Sequence, residues 1–207
     1  MALVTEIFAD FASAAAACGP GYDSGVIADV IAYKTALGVD PRHFAPEQAV
    51  NSIISIGIAT AEITERPLRV LDFGGGCGFH YFRVSAALRS KLRWAVVETK
   101  TMAERARKVA GDRFDAFTDL SDAAGALGRV HLVHASSSIQ YVPEPLSTLK
   151  GSCDASGALL HACSFSCMGA PSDCRRADIA FGCERNWPDA ADYCRPAGQI
   201  PNHLYEL

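Results

Sequence analysis

Apolar positions in the first third of the chain recur at helical spacing. Val26, Ile27, Val30 and Ile31 predict one face of a helix. A second helix is predicted to open at Pro46, with Glu47 in its first turn. Its wide apolar stripe comprises Val50, Ile53, Ile54, Gly57, Ile58 and Ala61. Pro67 cannot continue that helix and turns Arg66 towards extended geometry. From Leu68 the pattern changes. Short apolar runs at Leu68 to Phe73, Trp94 to Val97, Val130 to Ala135 and Ala158 to Cys163 predict strands. Between them, Phe79 to Leu88 and Thr101 to Ala110 have helical spacing, the latter stopped by Gly111. Ser121 is the expected N-cap of a short helix ending near Gly128. Strands alternating with helices predict a parallel α/β sheet covered on both faces, preceded by a helical extension over residues 1–66.

Composition narrows the function classes. The chain has 207 residues, 49% hydrophobic and 20% charged, with a formal charge of −4, which suits a globular domain and gives no basic footprint for nucleic acid. The short run Arg105 to Lys108 is explained by a solvated helix face. Ala14 to Ala17 before Cys18 faintly resembles a processing site, but Glu6 and Asp10 stand where a leader needs basic and apolar residues. The apolar stretch Ala49 to Ala61 is too short to span a bilayer. A cytosolic protein without membrane insertion is expected, its eight cysteines reduced.

The most informative segment is Asp72-Phe73-Gly74-Gly75-Gly76-Cys77-Gly78, which follows a predicted strand and opens a predicted helix. A dinucleotide fingerprint needs Gly-x-Gly-x-x-Gly; counted from Gly74 its last position is Phe79, and counted from Gly76 it is Tyr81. A Walker loop fails for want of Gly-Lys-Ser/Thr. The spacing Asp-x-Gly-x-Gly-x-Gly does fit, and Glu98 closes the next predicted strand. A carboxylate there can accept from two vicinal hydroxyls. The plainer alternatives are a tight turn and a surface carboxylate.

This pattern resembles the first motif of class I S-adenosylmethionine-dependent methyltransferases. That resemblance implies a Rossmann-like fold and a cofactor pocket formed by Asp72, Gly74, Gly75, Gly76 and Gly78, with Glu98 on the ribose. The ordered segments His80-Tyr81-Phe82, Trp94 to Glu98 and Ser136 to Tyr141 extend it over about residues 20–150. Together they resemble a methyltransferase group found mainly in bacterial surface-polysaccharide gene clusters. The resemblance further implies that Ser136 borders the cofactor, that Asp119 lies near the adenine, and that the acceptor is a sugar or another small hydroxylated molecule.

The last third departs from that family. Class I domains usually finish with two further strands, the last antiparallel, whereas here Cys163 to Cys194 matches poorly and is crowded with cysteines, and Gly198 to Tyr205 resembles a late family segment. A shortened sheet, a disrupted reading frame and a new cysteine-built element are the competing explanations. Cys163 and Cys167 come nearest to a zinc pair, but the irregular gaps to Cys174, Cys183 and Cys194 do not favour a metal site, and none is expected. Cys77 is expected to be a small core residue.

Methyl transfer to a hydroxyl also needs a proton acceptor. His80 and Tyr141 are the candidate catalytic residues; His134 and Tyr81 also fall near strand ends, where such sheets bind ligands. Surface packing is the competing explanation for His80. Two further functions stay open: a methyltransferase fold serving only as a binding or assembly module, and a nucleotide-dependent oxidoreductase, disfavoured by Phe79.

Overall fold

The computed structural model describes residues 10–18, 20–39, 46–60, 67–144 and 147–148. It also describes the backbone of 159–163 and 178–182. The cysteine-rich stretches outside these ranges, with the zinc question they raised, lie outside the described residues. So does the late segment from Gly198. The chain order is α1 (Phe11–Cys18), α2 (Gly25–Leu37), α3 (Gln48–Thr60), β1 (Leu68–Phe73), α4 (Phe79–Arg83), α5 (Ala86–Arg89) and β2 (Leu92–Val97). It continues with α6 (Lys100–Ala110), β3 (Asp115–Phe117), α7 (Leu120–Leu127), β4 (Leu132–Ser136), β5 (Leu159–Cys163) and β6 (Asp178–Gly182).

The sheet has the strand order β3-β2-β1-β4-β5-β6. The first five strands are parallel and β6 is antiparallel to β5. This is the Rossmann-like α/β architecture expected. The order reverses between β1 and β4, and in such sheets ligands bind at that crevice, outside the carboxyl ends of the strands. The sheet does not stop at β5: an antiparallel strand follows within the segment that matched the family poorly.

Alternation along the strands divides the interior into two cores. Leu68, Val70, Trp94, Val96 and Leu132 pack with Ala28 of α2, Ile53 and Ile54 of α3 and Met102 and Ala106 of α6. Leu71, Ala95, Val97, Val133 and Ala135 pack on the other face with Ala123 and Leu127 of α7. Each fully buried Leu or Ile contributes about 2 kcal/mol through the apolar area it removes from water. Of the stripe predicted for α3, Val50, Ile53, Ile54 and Gly57 are buried and Ile58 is half-buried, while Ala61 lies outside the described residues. A Cβ on Gly57 would lie 3.2 Å from Leu68 Cδ2, so helix and strand approach closely there. Among the described residues, no helix is long and apolar enough to cross a membrane.

Several local expectations are corrected. Val26, Ile27 and Val30 are 74%, 39% and 47% exposed. Helix α2 turns the smaller Ala28, Ala32 and Thr35, with Ile31, inward. Small residues permit close helix contact but carry little hydropathy signal. Helix α3 begins at Gln48 rather than Pro46, with the Asn51 N–H donating to Glu47 O at 3.0 Å. The helix predicted over Phe79 to Leu88 is broken at Val84, whose ψ is 138°. There the Ser85 N–H donates to Asn51 Oδ1 at 2.8 Å, a partner that no local pattern announces. The N-cap of α7 is Asp119, not Ser121, because its carboxylate accepts from the N–H groups of Ser121 (2.7 Å) and Asp122 (3.0 Å).

Candidate functional site

The glycine segment leaves β1 in a sequence of left-handed turns. Gly74, Gly76 and Gly78 have φ of 68°, 59° and 84°, conformations costly for residues with a Cβ. Their surroundings differ. A Cβ on Gly74 would fall 2.2 Å from Ser138 Cβ, and one on Gly78 would fall 2.3 Å from the Phe114 ring. On Gly75 it would meet the Asp72 carboxylate at 2.2 Å. Gly76 alone has room beside it, with Ile31 Cγ2 at 3.4 Å. Three of the four glycines are therefore required by the protein's own packing, and Gly76 is the one whose open side faces space.

That space is a cavity of about 490 Å³ at the carboxyl ends of β1, β2 and β4. It falls in the range of small-molecule sites. The loop residues Gly74, Gly75 and Gly76 line it, with Glu98 and Thr99 after β2 and Ser136, Ser137 and Ser138 after β4. Val97, Met102, Ile31 and Phe73 supply apolar wall, and Phe79, His80, Tyr141 and Tyr22 an aromatic rim. Of the residues singled out from the sequence, Gly74, Gly75, Gly76, His80, Glu98, Ser136 and Tyr141 converge on it. Gly78 does not line it but holds the turn against Phe114. Asp119 does not line it either; its neighbour Thr118 does, and its own carboxylate caps α7. The side chain of Gln140 lies outside the described residues.

Glu98 ties the walls together. Its Oε1 accepts from the Gly76 N–H at 2.9 Å and its Oε2 from the Thr99 N–H at 3.0 Å. Burial raises its pKa, opposed by those two backbone bonds. Each oxygen retains a further lone pair, so the carboxylate can hold the loop and still accept from a ligand.

Asp72 lies beneath the loop and is fully buried. Its Oδ2 accepts from Trp94 Nε1 at 3.2 Å, while Oδ1 has no hydrogen-bond partner among the described residues. Burial pushes its carboxyl up to about 8, against the lowering effect of the Trp94 bond. Cys77, also buried, points to Met102 Sδ at 3.6 Å, and burial raises its thiol to about 12, so it is a packing residue rather than a nucleophile.

Two parts of the site had no signal in the sequence. Tyr22, in a 3-10 turn over Gly21–Asp23, reaches the cavity from the helical extension, its ring 5.6 Å from that of Tyr141. The extension is fastened to α6: Asp23 Oδ1 accepts from the Thr101 N–H (3.1 Å) and Asp29 Oδ1 from Arg105 Nε (2.6 Å). The second is Ser137, whose φ of 54° is unusual for a residue other than glycine. It turns the chain sharply at the end of β4, and Ser138 Oγ then donates to Phe73 O at 2.6 Å, closing the β4 side against the loop. A serine triplet does not announce such a turn.

No known family pattern and no curated protein sequence matches the chain. Its backbone is similar to that of the N-terminal domain of EvdMO1 in the presence of SAH and D-fucose, at 17% identity, over 58% of this chain and 52% of that one, with a TM-score of 0.42. It is similar to an O-methyltransferase family protein from Burkholderia thailandensis at 19% identity, over 59% and 42%, with a TM-score of 0.41. Cofactor-bound Rv0187 from MTB is matched at 16% identity over 77% and 74%, with a TM-score of 0.44. The chain thus matches about half the length of the first and less than half of the second. At this similarity, nothing about ligand or activity passes from those proteins to this chain.

Proposed function

We propose that the chain binds S-adenosylmethionine in the cavity above β1, β2 and β4 and transfers its methyl group to a small hydroxylated acceptor. The observation that carries this reading is the Glu98 carboxylate, held against Gly76 at the cavity edge where a ribose diol requires an acceptor pair. The residues present fit the cofactor in other respects. Gly76 leaves the loop open to a ligand, and Val97 and Met102 offer apolar wall for a base. Asp119 has a smaller part than the family resemblance implied, through the loop that presents Thr118.

When bound, the cofactor supplies an electrophilic methyl group. The chain's own residues position and deprotonate the acceptor. His80 lines the cavity and carries an imidazole suited to taking the hydroxyl proton. Tyr141 and Tyr22 form an aromatic rim that orients an acceptor and limits water. A sugar acceptor is what the resemblance to the polysaccharide-cluster group implies.

Calorimetry with S-adenosylhomocysteine tests the pocket. Saturable binding weakened at least tenfold by Glu98→Ala is expected; no binding by folded protein would remove the reading. A binding module without catalysis is the second reading, favoured by the exposure of Tyr141 (57%), which leaves His80 as the one enclosed candidate base among the described cavity residues. Methyl transfer from labelled cofactor to a panel of sugars would decide against it.

A further inference from the structure

Behind the cavity wall stand further polar groups. β1 and β4 are parallel neighbours with Asp72 paired to His134, so both residues stand on the face that carries Trp94. His134 is 1% exposed. Its ring lies 4.6 Å from that of His80 at 75°, edge to face, and 6.5 Å from that of Trp94. His80 borders the cavity, whereas His134 does not. His134 thus stands behind His80, and its strand partner Asp72 lies beneath the loop residue Gly75. An imidazole works as a base only with a lone pair turned to its substrate, and its neighbours select the tautomer and ring orientation that achieve this.

We propose that His134 is a positioning residue for His80: through the edge-to-face contact of the two rings it fixes the orientation of the His80 ring in the cavity wall. This rests on the methyltransfer reading only for its purpose; the coupling of the two rings stands without it. The other titratable groups around the cavity are Asp72 on β1, Glu98 after β2, and Tyr22 and Tyr141 on the rim. His161 on β5 is the strand partner of His134.

Nuclear magnetic resonance of the full chain, with ring-labelled histidine, tests the coupling. The six histidines are assigned by substitution and titrated with and without S-adenosylhomocysteine. In His134→Phe, which keeps a ring against Trp94, His80 is expected to lose its single ring orientation and to show both neutral tautomers. The reciprocal variant His80→Gln, at the cavity wall, must alter the titration or ring shifts of His134, because coupling between two sites acts in both directions. An unchanged His80 in folded His134→Phe, or an unchanged His134 in His80→Gln, overturns the proposal. If His134→Phe does not fold, the reciprocal variant decides. Loss of S-adenosylhomocysteine binding in the unsubstituted protein would instead defeat the cofactor reading and leave the ring coupling standing.

Discussion

The two faces of the sheet are built differently. The face towards α7 is an apolar layer of Leu71, Ala95, Val97, Val133 and Ala135 against Ala123 and Leu127. The face towards α2, α3 and α6 is also largely apolar, yet it encloses Asp72 and His134, both essentially without solvent exposure. A buried carboxyl such as Asp72, whose Oδ1 has no hydrogen-bond partner among the described residues, opposes folding unless something else requires it. Asp72 and His134 are strand partners, and Asp72 lies directly beneath the glycine loop. The α7 face is packing throughout, with Val97 and Phe73 also lining the cavity, while the other face buries a carboxyl beneath the site, the usual signature of function.

Substitutions can break this contrast, beginning with the largest effect. Gly78→Ala places a Cβ into the Phe114 ring at a left-handed position and should cost about 3 kcal/mol or more in denaturant unfolding. Leu71→Ala on the α7 face should cost about 3 kcal/mol by leaving a cavity, with S-adenosylhomocysteine affinity of the folded fraction unchanged. A comparable loss of affinity would show that this face also shapes the site.

Asp72→Asn should have the opposite sign. Because burial raises the folded pKa from about 4 to about 8, the folded state holds a proton that the unfolded chain has released between those values. The stability contributed by that protonation is complete below about pH 4 and lost as pH rises through about 8. The asparagine variant should have a flatter stability curve over that window. At pH 8 it should gain on the order of a few kcal/mol, with weaker ligand binding. A curve identical to that of the unsubstituted protein would mean that Asp72 is already ionised through the neutral range.

Glu98→Ala removes two charge-assisted bonds and should weaken S-adenosylhomocysteine binding by about 2 kcal/mol. Asp119→Ala should cost about 1 kcal/mol of stability through the lost cap. Affinity should change little; a tenfold loss would return Asp119 to the cofactor site. Smallest is Val30→Ser on the exposed face of α2, expected within about 0.5 kcal/mol in thermal unfolding.

Much of the framework was legible because its signals are local. Leu68 to Phe73 reads as a buried strand, and the glycines after it read as a turn, since both depend on neighbours in sequence. β3 was missed because Asp115–Phe117 is too short for a period and gains its regularity by pairing with Ala95 to Val97. The inward face of α2 was misread because its close contact with α6 is made through alanines. Asp119 shows the same limit: family position suggested the adenine, but the neighbouring N–H groups had a stronger use for its carboxylate.

The sequence alone determined the alternation of strands and helices and the sharp glycine turn after β1. These follow from periodicity and from the steric freedom of glycine. Tertiary structure decided which glycine faces the cavity, that Glu98 meets the Gly76 N–H, that Tyr22 reaches the cavity from the distant extension, and that the His80 ring packs on that of His134. Those outcomes depend on strand register and helix docking, which set distances between residues far apart in the chain.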